Sequence, residues 1–398
     1  MTVNMRALAS RLDDIAPSST LAISQKAAEL KKQGVDVVSY SAGEPDFNTP
    51  AHIVKACNDA LAAGMVRYPP VGGIPELRQA VADKLRVDND LAAVPAEVVI
   101  TVGAKQALYN SFLVLLNPGD EVLVPAPYWV SYPDQIRMVG GVPVVVPTLD
   151  TDDFAPTREQ LDAMTTKRTR AIVFSSPSNP AGTLYSAATL RVIGEWARDN
   201  DAWIISDEIY EKLLFEGTHQ SILNVMPELR DQTVLVNGFS KAYAMTGWRV
   251  GYSVAVKPVT DAILKVQGHI NTNTAIFAQK AAVAALTGEQ QCVEDMRLAF
   301  DKRRQLMVRR LEALNDVTVP TPKGAFYCFP NVSRWYGRTI GGKKVSNSVE
   351  FAAVCLEQAH VAMVPGDGFG MDGHVRLSYA CSEAQIDKGL DRLATLLQ

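Results

Sequence analysis

Short apolar runs alternate with longer amphipathic stretches through the middle of the chain. The runs are rich in valine and isoleucine and occupy residues 98–102, 121–125, 142–146, 171–175, 202–206, 234–236 and 249–254. Most are apolar at successive positions, which is typical of strands that are buried on both faces. Residues 106–116 predict a helix, which the turn formers Asn117, Pro118 and Gly119 end. The pattern therefore predicts an α/β fold with a mostly parallel sheet covered by helices on both faces.

The chain changes character after this region. Residues 261–315 are mainly helical, and the second part, 293–314, is a long stretch with charges on one face that could pass from one domain to another. The last third mixes short strands and helices, with a helix over 348–360 and a strand over 375–379. We expect a large domain over 49–298 and a smaller α+β domain over 299–398, to which residues 1–48 add an N-terminal arm and a helix over 19–33.

Composition narrows the function classes. The 398 residues carry a net charge of −4, so no basic surface favours nucleic acid. No apolar stretch is long enough for a membrane span, and no apolar segment follows the first residues, so a cytoplasmic protein is expected. The cysteines and histidines, five of each, are dispersed without metal-ligand spacing. They predict reduced thiols and no metal site.

Lys241 is the strongest chemical signal. It comes with Ser240 just after the apolar run 234–236, and Arg249 follows eight positions later. Residues that follow a strand lie at the carboxyl-terminal edge of an open α/β sheet, where ligands bind. An amine there can form a Schiff base while a hydroxyl and a guanidinium hold a phosphate, which is how proteins anchor pyridoxal phosphate. Taken alone, Lys241 could equally be a solvated loop lysine.

Two further strand ends offer matching chemistry. Asp207 follows the run 202–206, where a carboxylate could face a pyridinium nitrogen and keep it protonated, although it could also cap a following helix. Asn179 lies in a turn rich in proline and glycine after the run 171–175. Its amide, together with the hydroxyl of Tyr210, could donate to the ring oxygen of the cofactor, or it could form a structural turn.

Two basic residues, Lys105 and Arg376, are further candidates for binding anions. Just before Lys105, Gly103 stands where a strand gives way to a helix, which is a natural phosphate site. Lys105 follows it, although a cation is disfavoured at a helix N-terminus, so Lys105 should have an anionic partner or reach solvent. Arg376 lies in an apolar strand, where its planar fork could bind a carboxylate, or it could simply be an exposed strand arginine.

Taken together these elements resemble the class I aminotransferases of the pyridoxal-phosphate fold-type I superfamily. The resemblance covers nearly the whole chain, from residues 40–47 to 375–379, and its most specific part is the run 240–249. Within the family, this run is most similar to that of the bacterial aspartate aminotransferases. The resemblance implies the fold-type I aminotransferase fold and pyridoxal phosphate as the cofactor.

The resemblance also implies roles at the cofactor ring. Lys241 would form the Schiff base and then carry the proton. Asp207 would pair with the pyridine nitrogen, Asn179 and Tyr210 would bind the ring oxygen, and Trp129 would cover the ring.

A second set of residues would hold the cofactor's phosphate: Gly103, Ala104, Ser240 and Arg249. Tyr68 would reach the phosphate of a partner subunit, which implies a homodimer with active sites at the interface.

Substrate recognition is implied in the same way. Arg376 would bind the α-carboxylate, with the backbone of Gly43 closing over the substrate. Thr20 and Lys105 match the pair that contacts a distal carboxylate in this subgroup, whereas Ala181 stands where a threonine is common. The implied reaction is ping-pong transfer of the amino group from L-aspartate to 2-oxoglutarate, giving oxaloacetate and L-glutamate.

Several alternatives stay open. Prephenate, aromatic or other amino-acid aminotransferases and β-lyases share the fold. A ligand-sensing regulator would need an added DNA-binding domain, for which the roughly forty residues before Gly43 are too few. A serine hydrolase using Ser240 would need a glycine where Ala242 stands.

Overall fold

The strands of this computed structural model follow the apolar runs closely. The structure describes residues 8–15 and 19–398, and for residues 19–21 it describes the backbone alone. Its strands are β1 (Val38–Ser39), β2 (Val98–Val102), β3 (Glu121–Pro125), β4 (Val142–Val146), β5 (Thr169–Ser175), β6 (Trp203–Asp207), β7 (Thr233–Gly238), β8 (Val250–Val254), β9 (Tyr327–Cys328), β10 (Thr339–Ile340), β11 (Lys343–Lys344), β12 (Val361–Ala362), β13 (Val364–Pro365) and β14 (Val375–Ser378). All seven predicted central runs are therefore strands, with ends displaced by at most two residues.

The helices surround these strands. In chain order they are α1 (Ser19–Lys32), α2 (Ala51–Ala62), α3 (Pro75–Asp88), α4 (Ala104–Leu115), α5 (Ser131–Met138), α6 (Arg158–Met164), α7 (Ala187–Asp199), α8 (Ile222–Val225), α9 (Lys257–Ile270), α10 (Ile276–Thr287), α11 (Gln291–Glu312), α12 (Ser348–Gln358) and α13 (Glu383–Leu396). The helix predicted over 106–116 begins two residues earlier, at Ala104, so Gly103 is its N-cap.

Within the described residues, seven strands form the large sheet, in the order β2-β8-β7-β6-β5-β3-β4. The pairs β3–β4, β3–β5, β5–β6 and β6–β7 are parallel, which confirms the mostly parallel sheet. Only β8 runs antiparallel to both of its neighbours, β2 and β7. An antiparallel return needs no crossover helix, and only the segment 239–249 joins β7 to β8.

This topology brings several loops together at one edge of the large sheet. The carboxyl ends of β2, β3, β5, β6 and β7 point the same way, so the loops that follow them lie side by side. Because β8 is antiparallel, its first residues lie at this edge too, and Arg249 immediately precedes them.

Alternation along the strands builds a core on each face of the large sheet. Val98 and Ile100 of β2 pack on one face with α2, α3, α7 and α10, while Val99 packs on the other with α4, α5 and α9. Ile204 and Ile205 of β6 divide in the same way. Both faces are covered, as the doubly apolar runs predict.

A second core surrounds the small sheet, β13-β14-β9. Helix α11 joins the two cores, because Val293 packs with the large sheet while Phe300 and Leu311 pack with the small sheet. Helix α1 packs beside this sheet as expected, because it contacts β12 and β13 and Ala27 belongs to a small apolar cluster with Leu356 and Ala362. The domain limits at residues 48 and 298 stay a prediction.

No helix in the described part of the chain combines the length and the apolar character that a membrane crossing requires.

A buried polar network lies behind the end of β6. The ammonium of Lys84 pairs with Glu211, and Asn89 donates to the same carboxylate at 2.7 Å. His219 contacts Glu208 at 3.1 Å. Burial alone would raise the pKa of Glu211, but the charges of Lys84 and His219 lower it to about 2. The carboxylate groups here already have cationic partners within the fold.

Removing one partner of this pair should destabilise the protein. We expect Lys84→Met to cost about 3–5 kcal/mol in the free energy of unfolding, because the Glu211 charge is then left buried without compensation. Since the pKa of Glu211 is depressed, the pair stabilises above about pH 4.5, and its contribution falls as the pH drops towards 2. Urea unfolding measures the loss.

The matched control is Lys257→Met, which breaks an exposed pair with Asp261 and should cost less than about 1 kcal/mol. Equal costs for the two variants would show that the buried pair contributes no more than a surface pair.

Candidate active site

A cleft of about 770 Å³ opens at the carboxyl-terminal edge of the large sheet. Its opposite wall comes from α1, the segment after β1, and the strands β9 and β14. A volume of this order is typical of small-molecule pockets. The predicted site residues that line it are Gly43, Ala104, Lys105, Trp129, Asn179, Asp207, Tyr210, Ser240, Lys241, Arg249 and Arg376.

Lys241 lies at the floor of the cleft, three residues beyond β7. Its ammonium donates a hydrogen bond to the carbonyl of Gly43. It lies 5.7 Å from the ring centroid of Tyr210 and 5.5 Å from that of Phe326. Burial, then the positive charges of Arg376 and Arg249, lower the pKa of Lys241 to about 8, although Glu44 and Asp207 oppose them. A depressed pKa makes a larger fraction of the amine available as a nucleophile near neutral pH.

Asp207 is the last residue of β6 and points into the cleft. Its Oδ2 accepts a hydrogen bond from the Tyr132 hydroxyl at 2.8 Å, and its Oδ1 accepts from the amide of Ile209 at 3.3 Å. Burial raises the pKa of Asp207 to about 6 against these hydrogen bonds. No helix begins between Asp207 and Ile222, so the alternative of a helix cap is wrong. A buried carboxylate of this kind favours a protonated base next to it.

Asn179 and Tyr210 lie on neighbouring loops after β5 and β6. The side-chain oxygen of Asn179 accepts from Nη1 of Arg376 at 3.0 Å, which leaves its amide nitrogen as the donor. The Tyr210 hydroxyl is 2.9 Å from that of Tyr327. Both side chains are buried. Asn179 therefore contacts the buried side chain of Arg376 rather than forming only a local turn.

Gly103 and Arg249 are in direct contact. Gly103 has a φ of 74° and caps α4, and a Cβ there would lie 2.5 Å from Nη2 of Arg249. The same guanidinium donates to the carbonyl of Thr246 at 2.9 Å. Ser240 and the first turn of α4, beginning at Ala104, border the same corner. A helix N-terminus, a hydroxyl and a guanidinium together form a site suited to a phosphate.

Lys105 occupies the second position of α4. Its ammonium lies 4.9 Å over the ring of Trp129, which in turn packs edge-on against Tyr132 with centroids 5.5 Å apart. Burial, and then repulsion from Arg249, lower the pKa of Lys105. The described side chains provide a cation–π contact but no ion pair for this lysine. The anionic partner that the helix dipole demands has therefore to come from elsewhere.

Arg376 is 2% exposed, so the alternative of a surface arginine is wrong. Its Nη2 donates to the carbonyl of Ser41 at 2.9 Å, while Nε has no hydrogen-bond partner among the described residues. The guanidinium lies 4.5 Å over the ring of Tyr327 and 5.2 Å from that of Phe369. Burial lowers the pKa of Arg376, and no described carboxylate compensates its charge. Such a group is suited to bind an anion that enters the cleft.

Gly103 and Tyr68 do not line the cleft of their own chain, although Gly103 adjoins it through its contact with Arg249. Tyr68 is 92% exposed and does not line it. The side chain of Thr20 lies outside the described residues, so its predicted role stays a prediction.

Sequence reasoning missed three contributors: Tyr132, Tyr327 and Ser41. Tyr132 lies one turn beyond Trp129, a spacing that could have suggested it. Tyr327 and Ser41 carry no comparable signal, because their contacts come from elements far apart in the chain.

The family model "Aminotransferase class I and II" matches residues 35–393. The chain belongs to this family. This chain is 46% identical over 392 residues to the aspartate aminotransferase of Geobacillus stearothermophilus, a match that covers 98% of this chain and 99% of the relative. It is 45% identical to the aspartate/prephenate aminotransferase of Thermus thermophilus, covering 99% of each. The structure of the Thermus thermophilus aspartate aminotransferase with maleate superposes with a TM-score of 0.93 at 44% identity, covering 99% of this chain and 100% of that one.

These likenesses confirm the fold-type I aminotransferase fold and pyridoxal phosphate as the cofactor of this aminotransferase. The residues present fit that group. The buried amine of Lys241, the carboxylate of Asp207 and the phosphate site at Gly103 lie around one cleft. They provide a nucleophile for an aldehyde, a counter-charge for a pyridinium and donors for a phosphate.

Proposed function

We propose that the protein transfers the amino group of L-aspartate to 2-oxoglutarate by a ping-pong reaction. The observation that carries the proposal is that two cations, Arg376 and Lys105, line the same cleft as Lys241 and have no carboxylate partner among the described residues. A substrate with two carboxylates would satisfy both. The similar aspartate aminotransferase structure from Thermus thermophilus is one with maleate, a dicarboxylate, which supports this assignment.

Each cofactor contact is part of this proposal. Lys241 would hold the aldehyde carbon, Asp207 the pyridine nitrogen, and Asn179 with Tyr210 the ring oxygen. Trp129 would cover the ring. The phosphate would be held by Gly103, Ala104, Ser240 and Arg249.

When bound, pyridoxal phosphate supplies an electron sink for negative charge at the substrate's α-carbon. The chain's own residues orient the substrate and move the proton. Arg376 binds the α-carboxylate and Gly43 covers it with its backbone. The Nζ of Lys241 takes the proton from the α-carbon, which its lowered pKa of about 8 favours near neutral pH. Thr20 and Lys105 bind the distal carboxylate.

An absorption spectrum of the purified protein tests the proposal directly. Aspartate should shift the cofactor band, 2-oxoglutarate should restore it, and oxaloacetate and glutamate should accumulate together. A band that responds to aromatic amino acids but not to aspartate would overturn the substrate assignment. It would leave the aminotransferase fold untouched.

Prephenate is a second candidate amino acceptor. The Thermus thermophilus relative is named an aspartate/prephenate aminotransferase, which favours this candidate. Replacing 2-oxoglutarate by prephenate in the same assay tests this candidate. No turnover above background would dismiss it.

Removing the charge of Lys105 should alter substrate choice. We expect Lys105→Met to lower kcat/KM for aspartate roughly 10- to 100-fold, the range for a lost hydrogen bond between charged groups. The value for alanine, which has no distal carboxylate, should hardly change. Because the pKa of Lys105 is lowered, this lysine loses its charge at a lower pH than an ordinary lysine. The unaltered enzyme should therefore also lose its preference for aspartate as the pH rises and Lys105 is deprotonated.

The control for this variant is Lys257→Met, which removes an exposed lysine of α9. It should leave the ratio of the aspartate and alanine values unchanged. If Lys105→Met lowers both values equally, Lys105 does not contact the distal carboxylate.

We further propose a cytoplasmic homodimer in which Tyr68 contacts the phosphate in the partner's cleft. Tyr68 and Val66 are 92% and 66% exposed, and Leu61 and Met65 on the same segment are exposed as well. Exposed apolar side chains that cluster in this way indicate an interface. The five cysteines are free thiols, as a reducing compartment would keep them. Light scattering that finds a fully active monomer would contradict the dimer.

A further inference from the structure

Tyr327 connects two parts of the cleft that have separate tasks. It lies on β9 of the small sheet, and its hydroxyl is 2.9 Å from that of Tyr210, which follows β6 of the large sheet. Both tyrosines are at most 3% exposed. Their rings meet edge-on with centroids 5.9 Å apart. The hydrogen bond is therefore a buried polar link between the two sheets.

The ring of Tyr327 has a second contact. The guanidinium of Arg376 lies 4.5 Å over it, and no other described aromatic ring is as close to this arginine. The Tyr327 hydroxyl also lies close to Gly43, since a Cβ there would be 3.6 Å from it. Gly43 in turn accepts the hydrogen bond of Lys241. One side chain thus touches the groups assigned to the cofactor ring and to the substrate carboxylate.

Counting protons gives the hydrogen bond a direction. Either oxygen could donate in the Tyr210–Tyr327 pair. Burial raises the pKa of both tyrosines, so each is neutral and has one proton to donate. If Tyr210 donates its proton to the ring oxygen of the cofactor, the proton between the two tyrosines has to be that of Tyr327. Tyr210 then accepts from Tyr327 and becomes a stronger donor, because hydrogen bonds in a chain polarise one another.

We propose that Tyr327 is a positioning residue that orients the hydroxyl of Tyr210 towards the cofactor's ring oxygen and supports the guanidinium of Arg376 with its ring. The inference rests on the proposed function for the assignment of Tyr210 and Arg376. It deepens that function by linking the cofactor contact to the substrate contact through one side chain.

Titrating the absorption band of the bound cofactor tests the hydroxyl without any substrate. Donation to the ring oxygen stabilises its anionic form and lowers the pKa at which the band changes. We expect Tyr327→Phe to raise this spectral pKa by roughly 0.4 to 1 unit, the range for one hydrogen bond. An unchanged spectral pKa in a variant that binds the cofactor would overturn the proposal. So would failure of this conservative variant to bind the cofactor, since that would assign Tyr327 a structural role.

A double variant tests whether Tyr327 acts through Tyr210. In a Tyr210→Phe background the hydroxyl of Tyr327 has no hydroxyl to orient, so adding Tyr327→Phe should leave the spectral pKa unchanged. The control is Tyr379→Phe, another buried tyrosine, which lies just beyond β14 and does not line the cleft. It should leave the spectral pKa at the wild-type value. Equal shifts from Tyr327→Phe in both backgrounds would overturn the coupling.

The ring is tested separately with Tyr327→Leu. Tyr327→Phe keeps the ring under Arg376, whereas the leucine variant removes it. We expect KM for aspartate to rise about 5- to 30-fold in the leucine variant relative to the phenylalanine variant, the range up to a desolvated cation–π contact of about 2 kcal/mol. Equal KM values in the two variants would overturn the support for Arg376.

The outcomes separate this inference from the function on which it rests. A wild-type protein that binds pyridoxal phosphate but does not use aspartate would overturn the substrate assignment, while the spectral titration would still decide the role of the Tyr327 hydroxyl. A wild-type band that titrates like that of Tyr327→Phe would overturn the inference alone. Absence of a cofactor band in the wild-type protein would overturn both.

Discussion

Lys241→Ala is expected to lower kcat for aspartate transamination by roughly 10⁴-fold or more while the protein stays folded. In the proposed mechanism the amine is both the nucleophile that anchors the cofactor and the base that moves the α-proton, and positioned proton transfer alone contributes up to about 10⁴-fold. No described side chain can replace it: Tyr210 and Tyr327 have raised pKa values, and Lys105 is held over Trp129. Oxaloacetate formation under saturating aspartate measures the loss.

A small primary amine added to the solution separates the proton-transfer role from a folding defect. If Lys241 acts as a base, the amine should restore part of the lost rate in proportion to its concentration. Lys257→Ala, which removes an exposed lysine of α9, should behave like the unaltered enzyme. Turnover of Lys241→Ala within about tenfold of that enzyme would refute the assigned mechanism, because removing a group that contributes about 10⁴-fold has to cost far more.

The large sheet could be predicted because each of its strands carries a local signal. β3, β5, β6 and β7 are apolar on both faces, and the alternation of Val98, Val99 and Ile100 in β2 serves two cores at once. The direction of β8 could not be predicted in the same way, since the apolar pattern of a strand does not depend on which way it runs. The two-residue strands β1, β9, β10, β11, β12 and β13 were missed, because so short a run has no measurable period.

The site residues can likewise be divided into those that a local sequence signal predicts and those that it does not. Asp207 ends a strand of the large sheet, and Lys241, Asn179 and Gly103 follow strands of that sheet, so position in the chain alone predicts that they meet. Tyr327 reaches Tyr210 across 117 positions of sequence from a different sheet, and no local pattern records that contact.

The exposure of a charged side chain was also hard to predict. A single arginine in a strand is usually at the surface, and only the fold shows that Arg376 lies between β9 and β13 with both faces covered. The resemblance to the family assigned it to the substrate, whereas composition and spacing alone favoured the surface.

Arg376→Lys is the second large effect that we expect, and it should appear for every amino-acid donor. The substitution keeps the positive charge but loses the planar guanidinium that matches a carboxylate. Lysine makes fewer hydrogen bonds to that carboxylate, so a buried cation is left poorly paired. Losing one partner of a buried charged pair costs about 2–5 kcal/mol, so kcat/KM for aspartate and alanine should both fall roughly 30- to 4,000-fold. This uniform loss distinguishes Arg376 from Lys105, whose loss should be confined to aspartate.

A donor without the α-carboxylate tests whether the Arg376 variant loses that contact. In the unaltered enzyme an alkylamine should react far more slowly than alanine, whereas in Arg376→Lys the two rates should approach each other, because the guanidinium that discriminates between them is gone. Arg191→Lys, on the exposed side of α7, should preserve the full discrimination. If the Arg376 variant still prefers alanine to the alkylamine by the original factor, the α-carboxylate binds elsewhere. The Nε of Arg376 would then need another hydrogen-bond acceptor from a molecule that enters the cleft. A buried guanidinium with an unsatisfied donor otherwise lowers the stability of the protein.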